Sequence, residues 1–144
     1  MVHLLVIAYT SWASDMSSLY VRNWFRSHTA SLGVPYYETV NSEQNPTDPV
    51  WVTYEFNAEF AEVLSFCGDG AEEGVVDVIV SSQPGTGDAA ALSAVEAAAA
   101  YLVSQNDATG RLVILGKQPP DEYSDGSADR TYRVIVGIEY RFYR

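Results

Sequence analysis

The chain has 144 residues, 47% of them hydrophobic, and a formal net charge of −11. This length is close to the usual size of one domain and the hydrophobic fraction is ample for a core, which excludes global disorder. No apolar run approaches the roughly 20 residues that a membrane helix needs. We therefore expect one soluble, intracellular domain over residues 1–144, with no membrane partner. Cys67 is the only cysteine and cannot form an internal disulfide.

The charge is unevenly distributed along the chain. No Lys or Arg lies between Arg26 and Arg111, and most of the acidic residues fall in that interval. Six of the eight basic residues lie from Arg111 onward. A chain without a basic stripe has little to release counterions from a phosphate backbone, so we expect no specific nucleic-acid binding. The acidic surface serves solubility alone, or it keeps DNA from binding, or it meets a basic partner.

The first predicted element is a helix somewhere within residues 5–31. Its apolar stripe consists of Leu5, Tyr9, Trp12, Met16 and Leu19. Gly33 and Pro35 are expected to end this helix. Trp24 and Phe25 fall off the stripe, so they are predicted to fill the core from a second side or to mark a protein interface.

Two strand candidates follow, at residues 35–40 and in the alternating segment 50–56. Residues 57–70 show both the helical and the strand period, and their structure stays open. Residues 75–80 contain five β-branched apolar side chains in six positions, which predicts a strand with both faces largely covered.

A glycine turn at residues 83–87 leads from this strand into an alanine-rich helix, capped by Thr86 or Asp88. The larger apolar residues of that helix share one arc, and they are Leu92, Val95, Ala99, Leu102 and Val103. The rest of its wall is mostly alanine, so a neighbouring element can approach it closely.

The last third of the chain predicts two more strands. Residues 111–116 form the first, which Pro119 and Pro120 end. Residues 121–130 are predicted to be an exposed, polar and acidic loop. Residues 132–143 then alternate apolar and polar side chains over about twelve positions. A strand this long suggests that it extends past its own sheet onto a neighbouring molecule.

This order of elements predicts an α+β fold of two layers. We expect a mixed or mostly antiparallel sheet of about four to five strands, with two helices on one face. Trp51, Tyr37 and arginines are expected on the other face, which the helices leave partly exposed.

No set of residues predicts catalysis, a cofactor or a metal ion. The turn at residues 83–87 lacks the Gly-Lys-Ser/Thr ending of a phosphate loop, and Asp88 would repel a phosphate. The acids at 121, 125 and 129 do not follow the spacing of an EF-hand. The two histidines, His3 and His28, stand in no zinc-binding motif. We therefore expect a protein that is not an enzyme.

The layout resembles a known family. The segments that carry the resemblance are VWVTYEF at residues 50–56, the strand, Pro-Gly-Thr-Gly turn and helix of residues 74–102, and the closing YRVIVGIEYRF at residues 132–142. With the proline pair between them, they are similar to the tail terminator (tail-completion, lambda-type minor tail) proteins of long-tailed bacteriophages. The likeness covers about residues 10–144.

The resemblance implies a structural protein of the virion, assembled in the host cytoplasm and located at the head-proximal end of the tail. Such proteins form a ring of subunits, typically a homohexamer, that caps the tail tube and stops its polymerisation. The ring also offers a joining surface to the neck or connector protein, and DNA passes through it only as cargo. The alternatives are another head–tail joining or neck adaptor protein and, less favoured, a small enzyme or binding module.

Three groups of residues are candidates for contacts in such a ring. The candidates for the interface between subunits are Arg133, Arg141, Tyr143, Arg144, Glu55, Glu72, Glu73 and Asp77. The basic members of this group either reach acids of the neighbour or neutralise acids of their own subunit. The candidates for facing the lumen are Glu55, Glu59 and Glu62. The candidates for contacts of a mobile loop are Asp121, Tyr123, Asp125, Asp129 and Arg130.

Overall fold

The computed structural model describes residues 18–38, 47–63, 70–86, 88–124 and 131–143. Within these ranges there are two α-helices, α1 (Leu19–Ser27) and α2 (Asp88–Ser104), and a short 3-10 helix (Thr29–Ser31) after α1. The strands are β1 (Val50–Val63), β2 (Gly70–Ser82), β3 (Leu112–Lys117), β4 (Asp121–Ser124) and β5 (Tyr132–Tyr143).

The five strands form one sheet in which every pair of neighbours is antiparallel. The order across the sheet is β1-β2-β5-β3, and β4 pairs with the remaining half of β5. Pro119 and Pro120 separate β3 from β4, at a position where a proline removes no hydrogen bond from an inner strand. The predicted α+β fold with an antiparallel sheet and two helices is confirmed.

The core lies between one face of the sheet and the two helices. Alternate residues of the central strands supply it, because successive side chains of a strand point to opposite faces. On β2 these are Val76, Val78 and Val80, whose partners across β5 are Ile138, Val136 and Val134. All six are at most 2% exposed. The apolar residues predicted to share one face of residues 132–143 are therefore the residues of β5 that face the core.

Helix α2 contacts the sheet through alanine as well as through larger side chains. Ala91, Ala98 and Ala99 are fully buried together with Val95 and Leu102. The predicted arc was wrong at its end, since Val103 is 37% exposed. Small side chains let the helix axis approach the sheet closely, so the alanines themselves form much of the buried face of α2.

Helix α1 begins at Leu19 and is capped by Ser18, whose hydroxyl accepts a hydrogen bond from the backbone N–H of Val21 at 3.4 Å. Val21 and Phe25 are its buried residues, and the ring of Phe25 packs edge-on against Tyr54 at 5.8 Å. Leu19 is 69% exposed, so the predicted stripe was wrong at this position. The other four residues of that stripe lie outside the described part of the chain.

Strand β5 is an inner strand along its whole length, which corrects the prediction that it extends onto a neighbour. It pairs with β2 from Tyr132 to Tyr143 on one side, and with β3 and β4 on the other. Its backbone groups are therefore used within the sheet.

Two other predicted segments also differ from the structure. The first four residues of the expected acidic loop form β4, while residues 125–130 lie outside the described residues. The strand predicted at residues 35–40 is reduced, in its described part, to a single parallel bridge between Tyr36 and Val52.

Candidate assembly surface

The face of the sheet opposite the helices, called the open face below, carries six of the fifteen residues predicted to make contacts, namely Glu55, Glu73, Asp77, Arg133, Arg141 and Tyr143. Cross-strand register aligns its side chains in rows, such as Trp51, Ser81 and Arg133 on neighbouring strands. The rows border a shallow depression of about 370 Å³. The depression is lined by Trp51, Thr53, Glu55, Ile79, Ser81, Arg133 and Ile135. Arginines and Trp51 thus share this face, as predicted.

Two carboxylates face each other on the open face. Glu55 lies directly across from Asp77 in the register of β1 and β2, and the side-chain amide of Asn57 donates a 3.2 Å hydrogen bond to Asp77. Burial raises the pKa of Asp77, and the negative charges of Glu55 and Glu59 raise it further. A surface on which acids already repel each other is unfavourable for a phosphate.

Arg133 lies in the same depression, at its opposite side from Glu55. It is partly exposed. Arginine and tryptophan are common anchors of protein interfaces. The neighbouring Trp51 therefore makes this row suited to a protein contact.

Arg141 and Glu73, both predicted to contact a neighbour, form an ion pair with each other. The distance between Nη1 of Arg141 and Oε1 of Glu73 is 2.6 Å. The guanidinium group of Arg141 also lies 5.3 Å from the centre of the Tyr143 ring, which is 40% exposed. Of the two alternatives that the sequence left open, Arg141 thus neutralises an acid of its own subunit.

Glu72 does not lie on a surface, and its prediction as an interface residue is corrected. It is fully buried on the helix-covered face of the sheet, where it accepts a 2.6 Å hydrogen bond from the hydroxyl of Tyr140. It also accepts the backbone N–H of Ser18 at 3.2 and 3.3 Å, at the amino end of α1. Burial raises its pKa, against these hydrogen bonds and the nearby charge of Arg22. Glu72 lies two residues before Gly74 and four before Val76. The period of two along a strand therefore places all three on the same face of β2, and this was the sequence signal for the burial of Glu72.

The remaining predicted residues are dispersed. Glu59 is exposed at a bulge in β1, and Asp121 is exposed at the start of β4. Tyr123 lies in β4 with its backbone opposite Arg133, and Glu62 lies in β1; the side chains of both are outside what is described. The predicted residues that lie outside the described chain altogether are Asp125, Asp129, Arg130 and Arg144.

Two of the outer strands of the sheet, β1 and β3, differ in charge and in apolar exposure. Strand β1 carries Glu55, Glu59 and Glu62 and has no basic residue. Strand β3 contains Lys117 and no acid, and Arg111 precedes it. Val113 and Leu115 of β3 are 40% and 57% exposed. Sequence reasoning missed β3 as a surface because no local pattern tells an outer strand from an inner one.

A polar network before β3 was also missed. The carboxylate of Asp107 accepts hydrogen bonds from the hydroxyls of Tyr20 at 2.8 Å and Thr109 at 2.6 Å, and from the N–H of Leu112 at 3.0 Å. Burial opposes its charge, but these bonds outweigh burial and lower the pKa of Asp107 to about 2. The Asp-x-Thr spacing, typical of a side chain that bonds the backbone two residues on, was the available signal.

Comparison with known proteins finds no protein-family model and no curated protein that matches the chain. No helix in the described ranges is both long and apolar enough to cross a membrane. Among the same residues, no three His, Cys, Asp or Glu side chains are grouped in a way that could hold a metal ion.

Proposed function

We propose that this chain is a structural subunit of a long bacteriophage tail, a tail terminator. In this role it assembles into a ring, caps the tail tube, stops its polymerisation and joins the tube to the neck of the head. The ring belongs to the virion, at the head-proximal end of the tail. DNA passes through it without being specifically bound.

The observation that carries this proposal is the pair of opposed carboxylates at one end of the open face. Glu55 and Asp77 lie opposite each other on neighbouring strands, and their mutual repulsion contributes to the raised pKa of Asp77. Like charges of this kind repel a phosphate backbone, which suits the wall of a channel through which DNA has to slide. Glu55 and Glu59, both exposed, are the members of the predicted lumen group that support this orientation.

The order of elements also supports the proposal. Strand β2 ends at Ser82, the turn after it places Gly85 at a positive φ of 87°, and α2 starts at Asp88. This strand, turn and alanine-rich helix are the segment on which the resemblance to tail terminators rests most.

The test is the mass of the purified protein in solution, measured by light scattering at low and moderate salt over a range of concentrations. The same measurement is repeated with the tail tube protein of the same genome. We expect a ring-sized assembly of about six subunits, either alone or in the presence of tube protein. Electron microscopy of tubes assembled with and without the chain then shows whether it caps their ends. A protein that stays monomeric under all these conditions contradicts the proposal.

A channel wall of this charge also predicts the response to DNA. We expect the assembled protein to show no measurable affinity for duplex DNA in fluorescence anisotropy at moderate salt. Salt-dependent binding with a steep slope would contradict the proposed role of the open face.

A further inference from the structure

We infer that two copies of this chain join head to tail, with the free edge of β3 in one copy docking on the free edge of β1 in the next. The inference deepens the proposed function and rests on it, because it names the surfaces that build the ring. It commits to a second copy of the chain as the occupant of each edge.

Among the residues that the structure describes, the topology leaves both edges available. In the described residues, β1 is paired on its outer side only at Val52, through the bridge to Tyr36. Residues 53–63 of β1 and all of β3 have no described strand beside them on their outer side. An unpaired strand edge offers a row of N–H and C=O groups to another strand. Strand β5, by contrast, has no free side.

Charge decides which edges meet. Strand β1 brings Glu55 and Glu59, whereas β3 brings Lys117. Arg111 precedes β3 and adds a second positive charge at this edge, where its Nε also donates a 3.1 Å hydrogen bond to the carbonyl oxygen of Tyr143. Two β1 edges would place acids against acids, and two β3 edges would place bases against bases. The attractive arrangement is β3 against β1, which uses a different surface on each side of the subunit. Such heterologous contacts close into a ring when the rotation between neighbouring subunits divides a full turn, whereas an isologous contact stops at a dimer.

The contact is confined to the β3 half of this edge. Strand β4 continues the edge with Asp121 and Glu122, which are exposed and carry the wrong sign for β1. Strand β3 also offers apolar area, because Val113 and Leu115 are 40% and 57% exposed. Leu115 lies at the register shift of β3, where the ladder to β5 is interrupted.

The charge test uses two variants purified separately, Glu59→Lys and Lys117→Glu. Self-association is measured by sedimentation velocity at low ionic strength, with tube protein present if the unaltered chain needs it. We expect each variant alone to associate at least ~10-fold more weakly, because its altered edge repels its own partner edge. An equimolar mixture should regain the original affinity in even-numbered assemblies only. When the two variants alternate, every contact joins either two unaltered edges or the two altered edges, whose charges attract each other. Glu96→Lys, on the exposed side of α2, changes the charge equally and should associate normally.

The apolar test compares two leucines. Leu115→Glu should weaken association at least ~10-fold, whereas Leu19→Glu, at an exposed position in the first turn of α1, should leave it unchanged. Circular dichroism of both variants checks that they are folded.

The outcomes separate this inference from the proposed function. If the unaltered chain forms rings and the edge variants associate as it does, or if the mixture fails to recover, the edge contact is wrong and the ring proposal stands. If the unaltered chain forms no assembly with or without tube protein, both are wrong. Weakened single variants with a restored mixture support the inference.

Discussion

Tyr140 donates a 2.6 Å hydrogen bond to the carboxylate of Glu72, and neither side chain has exposed surface. The bond joins β5 to β2 beneath the amino end of α1, where Glu72 also accepts the N–H of Ser18. A buried acid is costly unless hydrogen bonds compensate for the lost water. Together these contacts make Glu72 one of the points at which α1 is attached to the sheet.

Removing the hydroxyl of Tyr140 should therefore destabilise the fold. For Tyr140→Phe we expect the free energy of unfolding to fall by about 1.5–3 kcal/mol, because a buried acid loses a donor. Urea denaturation at pH 7 measures the change. Tyr54→Phe is the matched control, since the buried hydroxyl of Tyr54 has no partner in the described residues. The control should cost nothing or stabilise the fold; equal losses in both variants would contradict the assigned role of the bond.

The raised pKa of Glu72 predicts a pH dependence of stability. In the unfolded chain a glutamate titrates near pH ~4.3, and burial raises the folded value above this. Folding favours the protonated form of Glu72. Its contribution to the free energy of unfolding is therefore fully present below the unfolded pKa and is lost as pH rises through the folded pKa. We expect Glu72→Gln to gain stability relative to the unaltered chain as pH increases from about 4 toward 7. Urea denaturation over this range tests it, and a difference that does not vary with pH would count against it.

Asp107 predicts the opposite trend at lower pH. Its folded pKa of about 2 lies below the unfolded value, so its stabilisation is present at higher pH and is lost as pH falls from ~4 through about 2. Because the site is partly exposed, we expect the loss to be about 1 kcal/mol or less. Asp107→Asn should lack this step, whereas Asp121→Asn, at an exposed position of β4, should retain it. Thermal unfolding between pH 2 and pH 5 distinguishes these cases.

Gly74 makes room for Tyr140 and cannot carry a side chain. A Cβ at this position would overlap the carbonyl oxygen of Asn57 and lie 2.7 Å from the hydroxyl of Tyr140. We expect Gly74→Ala to cost about 2–4 kcal/mol, since backbone atoms cannot move aside cheaply. Gly110→Ala is the comparison, because its surroundings are open and only its positive φ of 71° opposes a side chain. That variant should cost about 1 kcal/mol; a smaller cost at Gly74 than at Gly110 would contradict the packing described.

Loss of the ion pair between Arg141 and Glu73 should have little effect on stability or on self-association. Both side chains are about one-third exposed, and such pairs contribute about 0–1 kcal/mol. We expect Glu73→Gln to change the unfolding free energy by no more than this and to leave self-association unchanged. Sedimentation velocity and urea denaturation of one preparation measure both. A marked loss of association would restore Glu73 to the interface between subunits.

Local pattern was sufficient for several elements. The alternation over residues 132–143 identified β5 and its inward residues, because the two faces of a strand alternate whatever lies beside it. The apolar run at residues 75–80, the turn and the alanine-rich helix were recognisable for the same reason, since each depends on neighbours along the chain.

Long-range contacts determine which strands lie inside the sheet and which acids lie inside the protein. Strand β5 is central and β3 is an edge because of pairings between distant segments, on which the period of a strand carries no information. Glu72 is buried because Tyr140 and the amino end of α1 contact it on the helix-covered face of β2. Glu73 lies on the opposite face, where Arg141 pairs with it near the surface. The sequence shows two adjacent acids, and long-range contacts make one a buried hydrogen-bond acceptor and the other a partly exposed partner in an ion pair.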